Sequence, residues 1–271
     1  MFRRVIGILA VGVMWASVVQ AASQGDSDFL RAKALKDSDP LQVMKPARAE
    51  SYARGRSYAP QQMSVIYDLY RNGQKLGRVT DMFTRTGNRY QIVSEARAVG
   101  PLKFLWLGNI RLESRGEVGE NGLRPLSFRH IRSDQPAKAA SAGFDWKQRT
   151  VSYQYKGKMH QDTGLKDGTQ DQLSQLYQFV FLSSLPVNYS LDVVSGKGTN
   201  DYRYSRRDGG QIKVPAGQFA VQEFDRIMGP GDEKAITVWV APGHNNLPVQ
   251  IRVTEEGTTL EQRLVRFTFK P

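Results

Sequence analysis

Two acidic residues occupy positions that could support carboxylate chemistry. Asp145 lies between Phe144 and Trp146 in the stretch FDW, and Asp171 lies in TQDQLSQLYQFVFL at 169–182. An aromatic platform beside an acid is typical of carbohydrate sites, and glycoside hydrolysis needs two carboxyl groups roughly 5–9.5 Å apart. Strand alternation alone also places both aromatic residues on one side and Asp145 on the other, facing water or capping a turn. The pattern assigns no catalytic residue.

Other sequence signatures of catalysis or metal binding are missing. His130, His160 and His244 lie far apart, and none has a second ligand-type residue at the spacing of a metal motif. The chain has no cysteine, no G-x-S-x-G elbow and no S-x-x-K pair. Its glycine pairs lack the strand, turn and helix of a phosphate loop. We therefore predict no metal and no cofactor, and we favour a protein that is not an enzyme.

The segment 169–185 has helical rather than strand spacing. Leu173, Leu176, Tyr177 and Val180 share one stripe at 100° per residue. The opposite side carries the polar residues Asp171, Gln172, Gln175 and Gln178. This pattern favours a structural helix that packs through its apolar stripe, with the polar residues, Asp171 among them, turned away from the packing face.

Most of the remaining chain predicts strands. Apolar residues alternate at 63, 65, 67 and 69, and an Asn-Gly turn follows at 72–73. About a dozen such strands with short connections indicate an antiparallel meander, and so many strands in one sheet must curl or close. We predict a mainly β fold, a long antiparallel meander forming a strongly curved sheet or open barrel, with the helix at about 169–185 on its concave face. Residues 61–271 would form this single β-rich domain.

The first residues predict export. Arg3 and Arg4 precede an apolar run that is shorter than the roughly 20 residues of a membrane-spanning helix, and Val19 and Ala21 occupy the small-residue positions of a cleavage site. We expect a signal peptide at 1–21, then a disordered leader at 22–60. No cysteine is present for lipid attachment. The predicted location is the periplasm, without a transmembrane helix after cleavage.

The charge of the chain is strongly positive. Its net charge is +12, and without Arg3 and Arg4 the count of 36 basic and 26 acidic residues leaves +10. A basic exported protein meets anionic lipid headgroups, phosphates and acidic glycans, whereas nucleic acid is not an expected partner across the membrane. Scattered charges that only maintain solubility are an equal alternative. A peripheral membrane contact and the oligomeric state stay open.

Some residues are candidates for contacts with an amphipathic or anionic ligand. The apolar run PLKFLWLGN at 101–109 is either core or the lip of a cavity or partner surface. Three arginines in the stretch YRYSRRDGG are candidates for a basic rim near an anionic head. The predicted ligand-binding residues are Phe104, Trp106, Trp146, Tyr177, Phe181, Arg203, Arg206 and Arg207.

The order of several motifs resembles an exported bacterial family known as domain of unknown function 3108. The motifs are YDLYRNGQKLG, RLESRGEVGENGLRPLSFRH, FDW, DQLSQLYQ, VPAGQFAVQEF and WVAPGHNNLPVQIRV followed by EQRL, and they span about 60–270. The resemblance implies an envelope protein with no assigned activity. More loosely, the meander with an enclosed helix is similar to the half-barrel of periplasmic lipoprotein carriers, which have several helices where this chain has one.

These observations favour an exported, periplasmic, non-enzymatic protein that binds an amphipathic or anionic envelope component, such as a lipid, lipoprotein or glycan. Two alternatives remain. One is an envelope hydrolase or glycan-modifying enzyme that uses carboxylates such as Asp145 or Asp171. The other is a scaffold in envelope assembly that binds protein through a sheet edge or through the LKFLWL surface.

Overall fold

The computed structural model describes residues 60–99 and 109–271. The predicted signal peptide and leader lie outside these residues, apart from Pro60. The candidate ligand residues Phe104 and Trp106 also lie outside them. Within the described part, no helix has the length and hydrophobicity needed to cross a membrane.

The described residues form 15 strands and one α-helix. The first eight strands are β1 (Gln62–Arg71), β2 (Gln74–Thr86), β3 (Arg89–Ala98), β4 (Ile110–Gly119), β5 (Gly122–Arg132), β6 (Ala140–Asp145), β7 (Thr150–Tyr155) and β8 (Lys158–Thr163). The remaining strands are β9 (Gln170–Asp171), β10 (Asn188–Ser195), β11 (Gly198–Val214), β12 (Gly217–Arg226), β13 (Lys234–Ala241), β14 (Leu247–Glu255) and β15 (Thr258–Lys270). The helix α1 (Ser174–Gln178) continues into a 3-10 turn at Phe179–Phe181, and two further 3-10 turns lie at Pro136–Lys138 and Pro242–His244.

Alternation and turn chemistry explain the strands. In β1 the side chains of Met63, Val65 and Tyr67 are buried. Asn72 and Gly73 both have positive φ, 47° and 80°, so a tight hairpin connects β1 to β2 as the Asn-Gly pair predicts. This hairpin fixes the register that keeps the apolar side of each strand inside.

All 15 strands of the described residues belong to one sheet, in the order β8-β7-β6-β5-β4-β3-β2-β1-β15-β14-β13-β12-β11-β10-β9. Each half of this order is a meander, and the halves join where β1 pairs antiparallel with β15. Only the short β9 pairs in parallel, with β10. The predicted mainly β, antiparallel, curled meander is therefore confirmed, and its sheet is not closed into a barrel.

The two ends of the sheet approach each other along a seam. Gln170 of β9 donates a hydrogen bond from Nε2 to the carbonyl oxygen of Leu123 in β5, at 2.8 Å. The hydroxyl groups of Tyr153 in β7 and Thr199 in β11 are also hydrogen-bonded. The curled sheet thus encloses an interior without ladder pairing between its outer strands.

Gly196, in the turn between β10 and β11, marks the closest approach at this seam. A Cβ atom on Gly196 would lie 2.3 Å from Ala140 Cβ and 2.9 Å from Ser141 N. We expect Gly196→Ala to lower the free energy of unfolding by about 2 kcal/mol, because neither neighbour can move without shifting β6. Urea denaturation checks this, with Gly143→Ala as the matched control, since a Cβ at Gly143 meets nothing within 4 Å. Equal losses in the two variants would contradict the close packing.

The helical segment fills the interior. Every residue from 169 to 181 is buried. The ring centre of Phe181 lies 5.2 Å from that of Phe83 in β2, and the ring centre of Phe179 lies 4.8 Å from that of Phe224 in β12. The segment therefore packs against both meanders, as predicted for a helix on the concave face.

Two details of the helix prediction are wrong. The α-helix spans Ser174–Gln178, with the 3-10 turn after it, instead of 169–185, because Gln170 and Asp171 pair with β10 as strand β9. The polar residues Asp171, Gln172, Gln175 and Gln178, which the pattern turns away from the packing face, are all buried. Hydrogen bonds explain this burial. Gln178 accepts from Leu123 N and donates to Asn121 O, both at 2.7 Å.

Candidate functional site

A cavity of about 390 Å³ lies at one end of the seam. Its walls come from the end of β5, the connection to β6, the start of β6 and the turn between β7 and β8. The lining residues are Arg129, His130, Ile131, Pro136, Ala137, Ala139, Ala140, Ser141, Gln154 and Gly157. The turn containing Gly196 packs against two of them, Ala140 and Ser141.

Three lysines lie close to residues that line this cavity, although none of the three is itself a lining residue. Lys197 follows Gly196, and its Nζ lies 4.8 Å from the ring centre of Tyr155. Lys156 adjoins the lining residue Gly157, and its Nζ lies 5.5 Å from the centre of the same ring. Lys138 ends the 3-10 turn, between the lining residues Ala137 and Ala139. We call Lys138, Lys156 and Lys197 the lysine cluster.

The lysine cluster lacks compensating carboxylates. None of its three members forms an ion pair with any of residues 60–99 or 109–271, whereas two acids, Asp134 and Glu255, are paired with other cations. Asp134 pairs with Arg132 at 3.3 Å, and Glu255 pairs with Lys234 at 3.5 Å. The cluster is therefore a local excess of positive charge.

The pKa of Lys197 reflects this setting. Burial, as the largest cause, and repulsion from Lys156, Lys234 and Lys138 together lower the pKa of its amine from 10.5 to about 8. No carboxylate is among the causes. An anion placed among these amines would relieve the repulsion and favour the charged form of Lys197.

His130 contributes a neutral polar group to the wall. Burial lowers the pKa of its imidazole from 6.5 to about 4, and the positive charges of Arg132 and Lys197 act in the same direction. The ring is therefore uncharged at neutral pH. Among the described residues, no group of three or more His, Cys, Asp or Glu side chains is arranged to hold a metal ion. The positive charge beside this wall favours an anion over a cation.

Comparison with known proteins places the chain in a family. The family model described as Protein of unknown function (DUF3108) matches residues 66–263. The chain belongs to this family. The resemblance in motif order is therefore confirmed, and no curated protein matches the chain.

The solved structures that match this DUF3108 chain have low sequence identity to it. The beta-barrel-like protein of domain of unknown function DUF1849 from Brucella abortus is 12% identical, covers 79% of this chain and 100% of its own, and gives a TM-score of 0.49. A DUF1329 family protein from Desulfovibrio piger is 10% identical, covers 79% of this chain and 87% of its own, and gives a TM-score of 0.23.

The predicted apolar ligand residues of this DUF3108 chain that the structure describes are all buried. Trp146 donates from Nε1 to the carbonyl oxygen of Pro125 at 2.6 Å, with the Arg124 guanidinium 4.8 Å from its ring centre. Tyr177 donates its hydroxyl hydrogen to Asp81, and Phe181 packs in the interior. None of these side chains lines the cavity. Their contact with a ligand stays a prediction.

The predicted basic rim lies on β11, away from the cavity walls. Arg207 pairs with Glu223 at 2.5 Å and Asp225 at 2.9 Å. Arg203 pairs with Asp201 at 3.5 Å, and the guanidinium of Arg206 donates to the carbonyl oxygen of Leu185. These arginines have acceptor partners within the fold, whereas the lysine cluster has no carboxylate partner among the described residues. Their contact with an anionic head also stays a prediction.

The two candidate carboxylates occupy different environments. Asp145 is exposed and accepts a hydrogen bond from Gln148 N at 2.8 Å, so it caps the turn between β6 and β7. Asp171 is fully buried and accepts from Ser114 Oγ at 2.5 Å and from the backbone N–H groups of Leu173 and Ser174, each at 2.8 Å. Asp171 therefore anchors the start of the helical segment and does not line a solvent-filled cleft.

A second buried carboxylate lies under the helix. Asp81 of β2 accepts a hydrogen bond from Tyr177, while Tyr67 donates to the carbonyl oxygen of Pro248 at 2.8 Å. Burial raises the pKa of Asp81 and of Asp171 from 3.8 to about 6, against hydrogen bonds that favour their charged forms. These groups tie the helix to the sheet.

The lysine cluster was missed by the sequence reasoning. Its members are separated along the chain, and in each case a single lysine stands beside ordinary turn residues. One signal was available, since Lys156 precedes Gly157 and Lys197 lies between Gly196 and Gly198. Lysines in tight turns at one end of a curled sheet can converge when the sheet ends meet.

Proposed function

We propose that this DUF3108 protein is an exported, non-enzymatic protein that binds the anionic group of an envelope component in the cavity at the seam. The observation that carries the proposal is the lysine cluster. Three lysines without carboxylate partners in the described fold lie beside residues that line a polar cavity of about 390 Å³. Phosphate is the favoured chemistry, because lysine acts as a compact point charge toward its oxygens.

Electrostatics supports an anion over a neutral ligand. Mutual repulsion among the amines costs free energy in the unliganded protein, and burial of Lys197 weakens solvent screening. A bound oxyanion reverses both effects. Because the other amines stay near solvent, binding should weaken as ionic strength rises.

The packed interior favours binding of a ligand's anionic head group rather than of its acyl chain. The helical segment packs against both meanders, and a buried apolar cluster continues around it. The cavity itself is lined by polar groups and small residues such as Ala137 and Ala140. An acyl chain attached to the bound head would therefore lie outside the core.

Titration calorimetry with inorganic phosphate and with glycerol 3-phosphate tests the proposal. We expect Lys197→Met to weaken binding about tenfold, which corresponds to about 1.4 kcal/mol, and Lys156→Met with Lys197→Met to weaken it further. Lys213→Met is the matched control, since Lys213 is exposed on β11 and lies outside the cavity walls. Binding should also weaken as pH rises through about 8, where Lys197 loses its proton.

Binding experiments with lipid vesicles distinguish a free phosphate ligand from a phosphate carried by a lipid headgroup. Vesicles of phosphatidylglycerol that bind more tightly than glycerol 3-phosphate, with the same dependence on Lys197, would identify a lipid-borne group. Tighter binding of the soluble phosphate would identify a free one, and phosphatidylcholine vesicles report binding without net charge. Equal affinities of Lys197→Met and Lys213→Met for every probe would overturn the proposal.

A further inference from the structure

β8 is the outermost strand at one edge of the sheet. It pairs with β7 on one side, and no strand of the described residues pairs with its other side. All six of its residues are exposed, and Met159 is 73% exposed. The opposite edge differs, because β9 has only two residues and both are buried. Within the described fold, β8 is thus the edge that offers backbone groups to another chain.

The turn before β8 fixes which backbone groups point outward. Lys156 and Gly157 both have positive φ, 51° and 73°, as in a two-residue hairpin turn. Tyr155 and Lys158 therefore form the first hydrogen-bonded pair, and such pairs alternate along an antiparallel ladder. The residues that direct their N–H and C=O groups toward β7 are Lys158, His160 and Asp162. The residues that direct them outward are Met159, Gln161 and Thr163.

We propose that β8 pairs antiparallel with β8 of a second copy of this chain, with Met159 opposite the partner's Gln161. Only outward-directed residues can form hydrogen-bonded pairs, so the register can change only in steps of two residues. In the proposed register Lys158 lies across from the partner's Asp162, and the symmetry repeats this pair. His160 lies on the twofold axis.

Charge complementarity selects this register over its neighbours. A shift of two residues in one direction places Lys158 opposite the partner's His160. The opposite shift moves Lys158 across from the partner's Gly164 and leaves it without an acid. Directly opposed unlike charges stabilise antiparallel pairs, and directly opposed like charges destabilise them. Within β8, the proposed register is therefore the one that places each Lys158 opposite an acid.

The size of the contact sets its strength. Two hydrogen-bonded residue pairs give about four backbone hydrogen bonds. Met159, the most exposed large apolar side chain among the described residues, becomes partly covered. Six residues from each copy make a small interface, so we expect a dimer with a dissociation constant in the micromolar range.

Charge reversal tests the register by sedimentation over a concentration series of the purified protein. We expect Lys158→Glu and Asp162→Lys each to weaken the dimer at least tenfold. A mixture of the two variants should restore association, because each heterodimer then contains two opposite-charge pairs. Circular dichroism confirms that both variants fold. A wild-type protein that stays monomeric at hundreds of micromolar, or a dimer that survives both reversals, would overturn the proposal.

A cross-link locates the twofold axis. The chain has no cysteine, so His160→Cys introduces one thiol. We expect mild oxidation to convert this variant to a covalent dimer at least tenfold faster than Met82→Cys, a control whose position is 44% exposed on β2. Similar rates would show that β8 is not opposed to itself. Neither readout depends on anion binding, so this inference stands or fails separately from the proposed function.

Discussion

Replacing Asp171 by alanine is expected to lower the free energy of unfolding by about 3–5 kcal/mol, the largest effect of any single substitution considered for this fold. The carboxylate accepts hydrogen bonds from Ser114 Oγ, Leu173 N and Ser174 N in the fully buried interior. Alanine leaves these donors without an acceptor and opens a small void beside them. Urea denaturation followed by circular dichroism measures the loss.

Two controls separate this role from a general effect of substitution. Asp171→Asn keeps an oxygen for the two backbone donors, so at pH 4, where the carboxyl group is protonated in the folded protein, we expect a loss of about 1–2 kcal/mol. Asp145→Ala removes only the cap of an exposed turn and should cost less than about 1 kcal/mol. If Asp171→Ala cost no more than Asp145→Ala, Asp171 would not anchor the helical segment.

Buried carboxyl groups should also give stability an unusual dependence on pH. Burial raises the pKa of Asp81 and Asp171 from 3.8 to about 6, so the folded protein binds their protons more tightly than the unfolded chain does. Their contribution to stability is therefore greatest below about pH 4 and is lost as pH rises through 6. The shift corresponds to about 3 kcal/mol for each group.

His130 acts with the opposite sign. Its pKa falls from 6.5 to about 4, so the unfolded chain binds its proton more tightly and its contribution to stability rises over the same pH range. The wild-type profile combines both trends, and single substitutions separate them. We expect Asp81→Asn to gain stability relative to wild type by about 2 kcal/mol between pH 4 and 7.

Urea denaturation at pH 4, 5, 6 and 7 checks this expectation. Asp81→Asn keeps an acceptor for the Tyr177 hydroxyl. The pH dependence of the difference in free energy of unfolding between this variant and wild type therefore reports on titration of Asp81 rather than on a lost contact. Glu120→Gln is the control, because Glu120 is exposed in the turn between β4 and β5. A difference between Asp81→Asn and wild type that stays constant from pH 4 to 7 would contradict burial of a titrating carboxyl group.

Most of the sheet follows from local signals in the sequence. Alternating apolar residues and turn residues such as Asn72 and Gly73 predict strands and hairpins, because a hairpin needs only neighbouring residues. The helix shows where this reasoning fails. An amphipathic pattern is normally interpreted as a helix whose apolar side packs against protein and whose polar side faces water. Here the polar side faces backbone groups of Asn121 and Leu123, and no periodicity in the sequence distinguishes those partners from solvent.

The candidate site could not be predicted because its parts come from distant segments. Lys138 follows β5, Lys156 follows β7 and Lys197 follows β10. Their convergence depends on how far the sheet curls before its ends meet, and that depends on the packing of the enclosed helical segment. Composition suggested an anionic partner, and this stays a prediction. It placed the cations on β11, where Arg207 in fact pairs with Glu223 and Asp225.

The pairing of β1 with β15 has a consequence for how the protein is made. The first and last of the described strands are neighbours at the middle of the sheet, paired from Gln62–Lys270 to Arg71–Leu260. During synthesis one edge of β1 therefore stays unpaired until β15, near the end of the domain, has left the ribosome. Such long-range closure makes folding slow, and it exposes a nascent apolar strand to aggregation until β15 arrives.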